Sequence, residues 1–424
     1  MSFAQRLQEI RKGFRPTFWV ANGTELFERL AFYGQQAVLA IFLHEQLKFS
    51  AESTGALMGD FGFAVYLLPV FVGALADRFG FRRSLAAAYL IASVGYFLLG
   101  SLSAPWMAPA RHALSLYWLV FTILMITALG PSLVKPCVVG TIATASAENV
   151  RSIGYSIYYT LVNIGGALGP IVAFLVRRTI GMESVFRVSA LSVFLMCIAT
   201  LLFYREPARA GGTQREVASV AQAVRNMFVV MGNLRFVLFL LIFSGFWVMF
   251  FEFFVAMPLY IRSFVDPNAD VDLLLSVDAL TIIFLQVAVS YVTRKIPAFP
   301  AMILGTLIAS LSMVIVSIHA STWLVVVALV VFSLGEMTQA PRFYEYVSRL
   351  APPGQQGVFM GFAFLPIAVG YKIAGELGGY LVHHYGEVLR RPREMWWVLA
   401  AIGLGTTLLM WIYNRIVKPG EASA

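Results

Sequence analysis

Two carboxylates and a guanidinium stand close together in an otherwise apolar run near the start of the chain. Glu25, Glu28 and Arg29 lie within the run from Thr17 to Leu43. Their spacing places the carboxylates one turn apart on one helical face, beside the arginine. An adjacent cation favours the ionised carboxylate, and a proton competes with that pairing. A charge at bilayer depth costs about 3 kcal/mol or more, so the cluster indicates a path for protons or solute.

The composition places the whole chain in a membrane. Of 424 residues, 59% are hydrophobic and only 12% are charged, whereas soluble domains are roughly 45–50% apolar. The formal charge of +9 comes from Lys and Arg spread over short loops, and it does not form the single basic patch of a nucleic-acid-binding protein. The expected surroundings are therefore a lipid bilayer, and no nucleic-acid partner is expected.

Motifs for catalysis, nucleotide binding or metal binding are absent from the sequence. There is no Walker motif, GxSxG elbow or HExxH pair, so neither hydrolysis nor ATP-driven transport is indicated. Cys137 and Cys197 fall inside apolar runs without disulfide or metal spacing, and we interpret them as small core residues. We expect no enzymatic activity, no metal and no cofactor, with a proton gradient as the energy source.

The apolar runs organise the chain into six spans, a polar linker and six more spans. Each run provides the roughly 20 residues that a helix needs to cross the hydrocarbon core. The predicted domains are a six-helix bundle at 1–204, a cytoplasmic linker at 205–235 and a second six-helix bundle at 236–424. The predicted spans lie near 17–44, 54–76, 83–103, 116–145, 152–176, 183–204, 236–263, 273–293, 298–318, 322–349, 356–383 and 395–417.

The distribution of basic residues predicts the orientation. One set of loops and both termini carry about twice as many Lys and Arg as the opposite loops, which favours the cytoplasm for that side. The polar amino terminus lacks a small-residue cleavage site, so no removable signal peptide is expected. We predict a multi-pass protein of the cell (inner) membrane with both termini cytoplasmic.

The loop between the second and third spans resembles the signature loop of the major facilitator superfamily, G-x-x-x-D-R-x-G-R-R. The matching residues are Gly73, Asp77, Arg78, Gly80, Arg82 and Arg83, with the final pair of arginines displaced by one position because Phe81 follows Gly80. This resemblance implies an all-α membrane protein with twelve transmembrane helices in two six-helix halves around a central cavity. It also implies transport by alternating access.

Further motifs resemble those of the proton-coupled oligopeptide transporters, as in a divergent member of that family. The first span is similar to E-x-x-E-R-F-x-Y-Y-G, span four to G-G-x-K-P, span five to R-x-S-x-F-x-x-F-Y-x-x-x-N-x-G and span ten to L-G-E-x-x-x-x-P. The residues that carry these matches include Glu25, Glu28, Arg29, Tyr33, Gly34, Gly130, Lys135, Pro136, Arg151, Ser152, Tyr158, Tyr159, Asn163, Gly165, Leu334, Gly335, Glu336 and Pro341.

The resemblance implies a site that binds a short peptide, or a peptide-like or amino-acid-derived solute, together with protons. Glu25, Glu28 and Arg29 form the implied proton-coupling cluster. The implied gate pairs Lys135 with Glu336. The implied substrate-binding residues are Arg29, Tyr33, Tyr66, Lys135, Asn163, Glu252, Asp278, Glu336 and Arg342.

Residues of opposite charge would then bind the two charged ends of a zwitterionic substrate. Arg29 and Lys135 would meet the substrate carboxylate, while Glu336, helped by Asp278, would meet its amino group.

The chain departs from the family pattern in its membrane charges. Gln36 stands where the family has an arginine, so the bridge from the first span to Glu252 is expected to be missing. Arg342 either compensates Glu252 or pairs with Glu345 three residues later.

Three further charges lie inside the predicted spans. Lys372 and Glu376, four residues apart, are interpreted as a structural pair, and Asp60 as an interfacial residue.

Proton-coupled peptide symport into the cell is the predicted function, and two alternatives stay open. The first is a proton-antiporting exporter of drugs or cationic metabolites, which the excess of membrane-embedded acids over bases favours. The second is a sensor or assembly partner that binds solutes without transporting them.

Overall fold

A computed structural model describes residues 13–71, 79–206, 225, 228, 230–350, 359 and 362–417. Within these ranges the regular structure is helical, apart from one isolated bridge between Phe14 and Ser146. Most of the central linker, and Gly73, Asp77 and Arg78 of the signature loop, lie outside the described residues.

Each of the predicted spans contains a long helix, because each is a continuous apolar run of sufficient length. The helices are α1 (Pro16–Ile41), α2 (Ala51–Leu67), α3 (Phe81–Leu99), α4 (Leu116–Ala145), α5 (Arg151–Ile180), α6 (Met182–Phe203), α7 (Leu234–Glu252), α8 (Val271–Thr293), α9 (Ala298–Ile318), α10 (Thr322–Leu350), α11 (Leu365–Leu381) and α12 (Glu394–Val417). Two short helices, Pro105–Met107 and Ala108–Ala113, lie in the loop before α4 and were not predicted.

Nine spans of the described chain are long and apolar enough to cross a membrane. The remaining long helices are α1, α3 and α11. Of these, α1 carries the three charged residues of the cluster, and α11 has 17 residues before a π-helical continuation. The predicted all-α integral membrane architecture is confirmed.

The seventh span is broken, although its sequence predicts one continuous helix. Helix α7 ends at Glu252, and a short helix, Ala256–Tyr260, follows a turn. Pro258 has no N–H, so the carbonyl of Phe254, four residues earlier, has no helical donor there. The backbone instead forms a tighter turn, in which the Phe254 N–H donates to the Phe251 carbonyl, three residues earlier, at 2.9 Å. The break places Glu252 at a helix end.

Three helices continue into π-helical segments, which often mark functional sites. These segments are Phe42–Gln46 after α1, Ile261–Val265 in the seventh span and Val382–Val388 after α11.

The chain divides into two compact units. Unit 1 comprises Met1–Gln35 and Leu67–Val224, and unit 2 comprises Gln36–Tyr66 and Arg225–Ala424. The last part of α1 and nearly all of α2 therefore belong to the same unit as α7 to α12. The predicted division of the sequence at 205–235 stays a prediction.

The core of unit 1 lies among α1, α3, α4 and α6. Cys137 and Cys197 are buried within it and form no disulfide, which confirms their interpretation as small core residues. Gly130 of the span-four motif allows α3 and α4 to approach, because a Cβ there would lie 2.5 Å from the Cβ of Ala92.

The core of unit 2 is rich in aromatic rings, such as the stacked pair Phe243 and Phe343, with centroids 4.6 Å apart. Gly335 of the span-ten motif lets α9 and α10 approach at backbone distance, since its Cβ would lie 2.5 Å from the carbonyl oxygen of Gly305.

Candidate functional site

The charged residues of α1 form a compact cluster inside unit 1. The Arg29 Nε donates to Glu28 Oε2 at 2.6 Å, and Arg29 Nη2 lies 2.5 Å from the same oxygen. Glu25 Oε1 lies 3.5 Å from Arg29 Nε, and neither Glu25 oxygen accepts a hydrogen bond from a described residue. Both glutamates are fully buried, and Arg29 is 4% exposed. Glu28 is therefore the primary partner of the guanidinium.

Helix α5 packs against α1 through glycines at the level of this cluster. A Cβ on Gly165 would lie 2.5 Å from the Cβ of Arg29, and one on Gly169 would lie 2.7 Å from the Leu30 carbonyl oxygen. On its own helix, the Arg29 guanidinium lies over the Phe32 ring, 4.9 Å from its centroid. The glycine of the span-five motif therefore sets the position of the arginine.

Lys135 adds a second cation to the cluster. It lies on α4 beside Pro136, partly exposed, and close enough to interact electrostatically with Glu25, Glu28 and Arg29. The two acids and the two bases have a net charge of zero when all four side chains are ionised. One added proton leaves the group with a net positive charge, which would favour an anionic group of a solute.

Tyrosines complete the surroundings of the acids in unit 1. Tyr158 of α5 lies within electrostatic range of Glu25, and Tyr33 lies near Arg29. The sequence pattern contained Tyr158 in the span-five motif without indicating that its hydroxyl would face a carboxylate. Asn163 differs from these residues, because its amide donates to the Tyr159 carbonyl of its own helix at 2.9 Å.

Unit 2 holds a second group of acids, on α8 and α10. Ser333 donates its hydroxyl hydrogen to Asp278 Oδ1 at 2.5 Å. Glu336 lies close enough to Asp278 for their charges to repel, and its Oε2 is buried without a hydrogen-bond donor among the described residues. A cation at this position would relieve the repulsion and supply the missing donor. Ser333 is a site residue that the sequence did not indicate.

Glu252 lies at the end of α7, fully buried, and no described residue donates a hydrogen bond to either oxygen. Gly378 of α11 faces it, since a Cβ there would overlap the carboxylate. Nearby, the Tyr66 ring lies 5.8 Å from Phe251 and 6.4 Å from Tyr371, between ring centroids. Tyr66 thus belongs to an aromatic group next to the unpartnered acid.

Gln36 does not reach Glu252, in keeping with the bridge that the sequence predicted to be missing. Its amide Nε2 donates instead to the hydroxyl of Tyr371 on α11.

Arg342 does not compensate Glu252 in the structure. Its Nη1 donates to Glu345 Oε2 at 2.9 Å, and its Nη2 donates to the Thr293 carbonyl at 3.4 Å. The spacing of three residues brings the pair together on one helical face. Of the two predicted arrangements, the intrahelical pair is the one found, and the compensation hypothesis is wrong for this structure.

This geometry predicts the outcome of a double-mutant cycle. The effects of Arg342→Gln and Glu345→Gln on thermal stability should be non-additive by about 0.5 kcal/mol or more, because the two side chains touch. The effects of Arg342→Gln and Glu252→Gln should add. Coupling of Arg342 to Glu252 alone would contradict the arrangement described above.

Lys372 pairs with two acids rather than with Glu376 alone. Its Nζ lies 2.8 Å from Glu376 Oε1 and 2.5 Å from Asp60 Oδ1. The predicted pair is confirmed. The carboxylate of Asp60 binds the Lys372 ammonium, and the interpretation of Asp60 as an interfacial residue stays a prediction.

The predicted gate residues belong to different units, Lys135 to unit 1 and Glu336 to unit 2, and their pairing stays a prediction. In the part of the chain that is described, no group of three or more His, Cys, Asp or Glu side chains could hold a metal ion.

Comparison with known proteins identifies related sequences and related folds. A model of the Major Facilitator Superfamily matches residues 24–364 and 264–424. Multidrug resistance protein MdtH of Salmonella paratyphi B is 23% identical over 401 residues, which cover 92% of this chain and 94% of the relative. The protein of the same name from Salmonella newport matches to the same extent.

Several similar solved structures are POT family transporters. One, in complex with a thioalcohol-conjugated peptide, has a TM-score of 0.76 at 17% identity and covers 94% of this chain and 96% of its own. Another, in complex with 5-aminolevulinic acid, has a TM-score of 0.76 at 18% identity, with coverage of 94% and 96%. A peptide transporter POT in complex with alafosfalin has a TM-score of 0.76 at 18% identity, with coverage of 95% and 94%.

The likeness to these structures shows a shared fold, and the family match extends over most of the sequence. The chain belongs to the major facilitator superfamily.

Proposed function

We propose that the chain is a proton-coupled symporter that moves short peptides, or peptide-like and amino-acid-derived solutes, into the cell by alternating access. The observation that carries the proposal is the fully buried cluster of Glu25, Glu28 and Arg29, with Lys135 beside it. Buried acids held by cations inside a membrane helix are typical of proton relays. The proposed setting is the cell membrane, with both termini cytoplasmic.

Competition for Arg29 would supply the coupling. When Glu28 is ionised, its carboxylate forms an ion pair with the Arg29 guanidinium through Nε and Nη2. A proton on Glu28 would weaken that pair and free Arg29 for a substrate carboxylate. Proton binding and substrate binding would then favour each other, which is the linkage that symport requires.

The charges of the two units suit the two ends of a zwitterion. Arg29 and Lys135 of unit 1 would bind a carboxylate, while Asp278 and Glu336 of unit 2 would bind an amino group. Tyr33, Tyr66, Asn163, Glu252 and Arg342 remain proposed substrate contacts. The structural neighbours bound to a conjugated peptide, 5-aminolevulinic acid and alafosfalin support this substrate class.

Lys135 and Glu336 are proposed as a gate that pairs when the cavity closes to the outside. Lys135→Gln and Glu336→Gln should each raise the outward-open population, by about fivefold if the pair contributes about 1 kcal/mol. Labelling of an introduced outer-side cysteine with an impermeant thiol reagent measures this population. Unchanged labelling in both variants would contradict the gate.

Export of cationic drugs or metabolites is the second candidate function. The MdtH relatives, which match over 92% of this chain, favour it, as do the neighbouring acids Asp278 and Glu336 and the separate buried acid Glu252. A proton-antiporting exporter would use these acids to bind either a proton or a cation.

Reconstituted vesicles distinguish the two functions. With an inward proton gradient, a symporter accumulates labelled dipeptide, whereas an antiporter drives a preloaded cationic dye out of the vesicle lumen. We expect dipeptide accumulation that a protonophore abolishes. Dye expulsion without dipeptide uptake would assign the chain to export.

A further inference from the structure

Residues 36–66 come from the first six spans of the sequence, yet they pack with helices of the last six inside unit 2. An alternating-access transporter separates its two halves on one side of the membrane in each cycle. Contacts within unit 2 between residues 36–66 and the seventh or eleventh span are therefore contacts that such a cycle has to break.

The first of these contacts is a bidentate ion pair between two π-helical segments. Arg262 Nε donates to Glu45 Oε1 and Arg262 Nη2 to Glu45 Oε2, each at 2.8 Å. Glu45 belongs to the segment after α1, and Arg262 to the segment in the seventh span. Gly386 of the third π-helical segment faces the Phe264 ring, where a Cβ would overlap it. The π-helical segment in the seventh span thus contacts both of the other two.

The second contact is a glycine crossing between α2 and α11. A Cβ on Gly55 would overlap the Gly375 carbonyl and lie 3.0 Å from the Gly379 Cα, while one on Gly59 would lie 3.1 Å from the Gly375 Cα. Small residues on both helices let two backbones touch, which favours van der Waals packing in a membrane. A side chain larger than hydrogen would force the two backbones apart at Gly55, and at Gly59 it would require a small shift of its neighbours.

The third contact is the pairing of Asp60 with Lys372, beside the crossing. Glu376 lies four residues after Lys372 on the same helix and binds the same ammonium. If α2 moves away from α11, Lys372 keeps Glu376 as a partner, so its charge inside the span stays compensated. This second carboxylate makes the Asp60 contact one that can break and reform at low cost.

Both ion pairs are partly exposed, with side-chain exposures of 24% and 36% for Arg262 and Glu45, and of 32% and 27% for Lys372 and Asp60. Such pairs contribute little energy each. They suit a contact that must hold in one state and release in the next.

We propose that the ion pairs Glu45–Arg262 and Asp60–Lys372, on either side of the α2–α11 glycine crossing in sequence, are two further contacts that hold this chain's outer gate closed, in addition to the proposed pair of Lys135 and Glu336. The Glu45–Arg262 pair takes the place of the first-to-seventh-span bridge that is missing at Gln36 and Glu252. It joins the same two spans farther along both, with the acid and the base exchanged between them. The proposal rests on the proposed alternating access and not on the identity of the solute.

The test measures access to a buried cysteine, without substrate or gradient, in purified protein in lipid nanodiscs. In a background with Cys137→Ala and Cys197→Ala, the reporters are Thr54→Cys on α2 and, separately, Ala374→Cys on α11, both fully buried at present. Labelling rates with a hydrophilic maleimide are compared for the background, Glu45→Gln, Asp60→Asn and the control Glu394→Gln. The control removes an ion pair with Arg391 that lies outside the contacts above.

Glu45→Gln and Asp60→Asn should each raise the labelling rate by about two- to fivefold, and Glu394→Gln should leave it unchanged. Reversing one charge, with Glu45→Arg or Arg262→Glu alone, should raise it further. The double variant Glu45→Arg/Arg262→Glu restores an ion pair with the charges exchanged, so its labelling rate should return towards the background rate. General unfolding would instead leave the labelling rate high in the double variant.

Unchanged labelling in all single variants, or equal labelling in the single and exchanged double variants, would overturn the gate. Loss of dipeptide transport in the vesicle assay bears on the proposed function instead. The two proposals can therefore fail independently.

Discussion

Glu28→Gln is expected to reduce uptake driven by a proton gradient by about 10- to 100-fold, while counterflow exchange of substrate is largely retained. Gln has the size of Glu and can still accept a hydrogen bond from Arg29, so the buried packing should persist. It has no titrating carboxyl, and the competition between proton and substrate for the guanidinium is lost. Uptake at an imposed pH gradient and exchange at equal pH measure the two activities separately.

A matched control comes from another glutamate–arginine pair of unit 1. Glu183 lies 2.8 Å from Arg187 at a spacing of four residues, outside the buried cluster. Glu183→Gln should leave proton-driven uptake close to that of the unmodified protein. Equal loss of driven uptake and exchange in Glu28→Gln would instead make Glu28 a structural residue.

Gly165→Ala should also disable transport, for a steric reason. The new Cβ would stand 2.5 Å from the Cβ of Arg29, so α5 has to move away from α1 or the arginine has to shift. Overpacking of this kind costs about 1–3 kcal/mol, and it displaces the guanidinium from Glu28. We expect a lower melting temperature together with loss of proton-driven uptake.

Gly23→Ala is the control for this substitution, because Gly23 lies on the same α1 and nothing stands within 4 Å of its added Cβ. Its uptake and melting temperature should match those of the unmodified protein. A Gly165→Ala variant with normal uptake would show that close packing of α1 and α5 does not position Arg29.

The helices were predictable because each span is a continuous apolar run, and the α1 cluster was predictable because its members are helical neighbours. The break at Pro258 was not identified, since many membrane helices accommodate a proline without interruption. The intrahelical pair of Arg342 and Glu345 was within reach of the spacing rule, whereas the spacing could not decide between this pair and compensation of Glu252 by Arg342.

Contacts between distant parts of the chain could not be predicted from one sequence. Glu45 and Arg262 are 217 positions apart, and Asp60 and Lys372 are 312 apart. On the sequence alone, Asp60 is interpreted as interfacial and Lys372 is paired with Glu376, and neither Glu45 nor Arg262 is singled out. Their pairing depends on which helix faces meet, and that is decided by small residues such as Gly55 and Gly375, whose role emerges only when the helices are packed.

The most direct test of proton-coupled symport is the movement of protons when substrate is added to reconstituted vesicles at equal pH on both sides. A pH-sensitive dye in the lumen should report acidification when an external dipeptide is added, and no acidification in the Glu28→Gln variant. The predicted result is acidification of the lumen with the unmodified protein and no acidification with Glu28→Gln. No pH change with dipeptide, together with lumenal alkalinisation when an external cationic drug is added, would contradict it and indicate antiport.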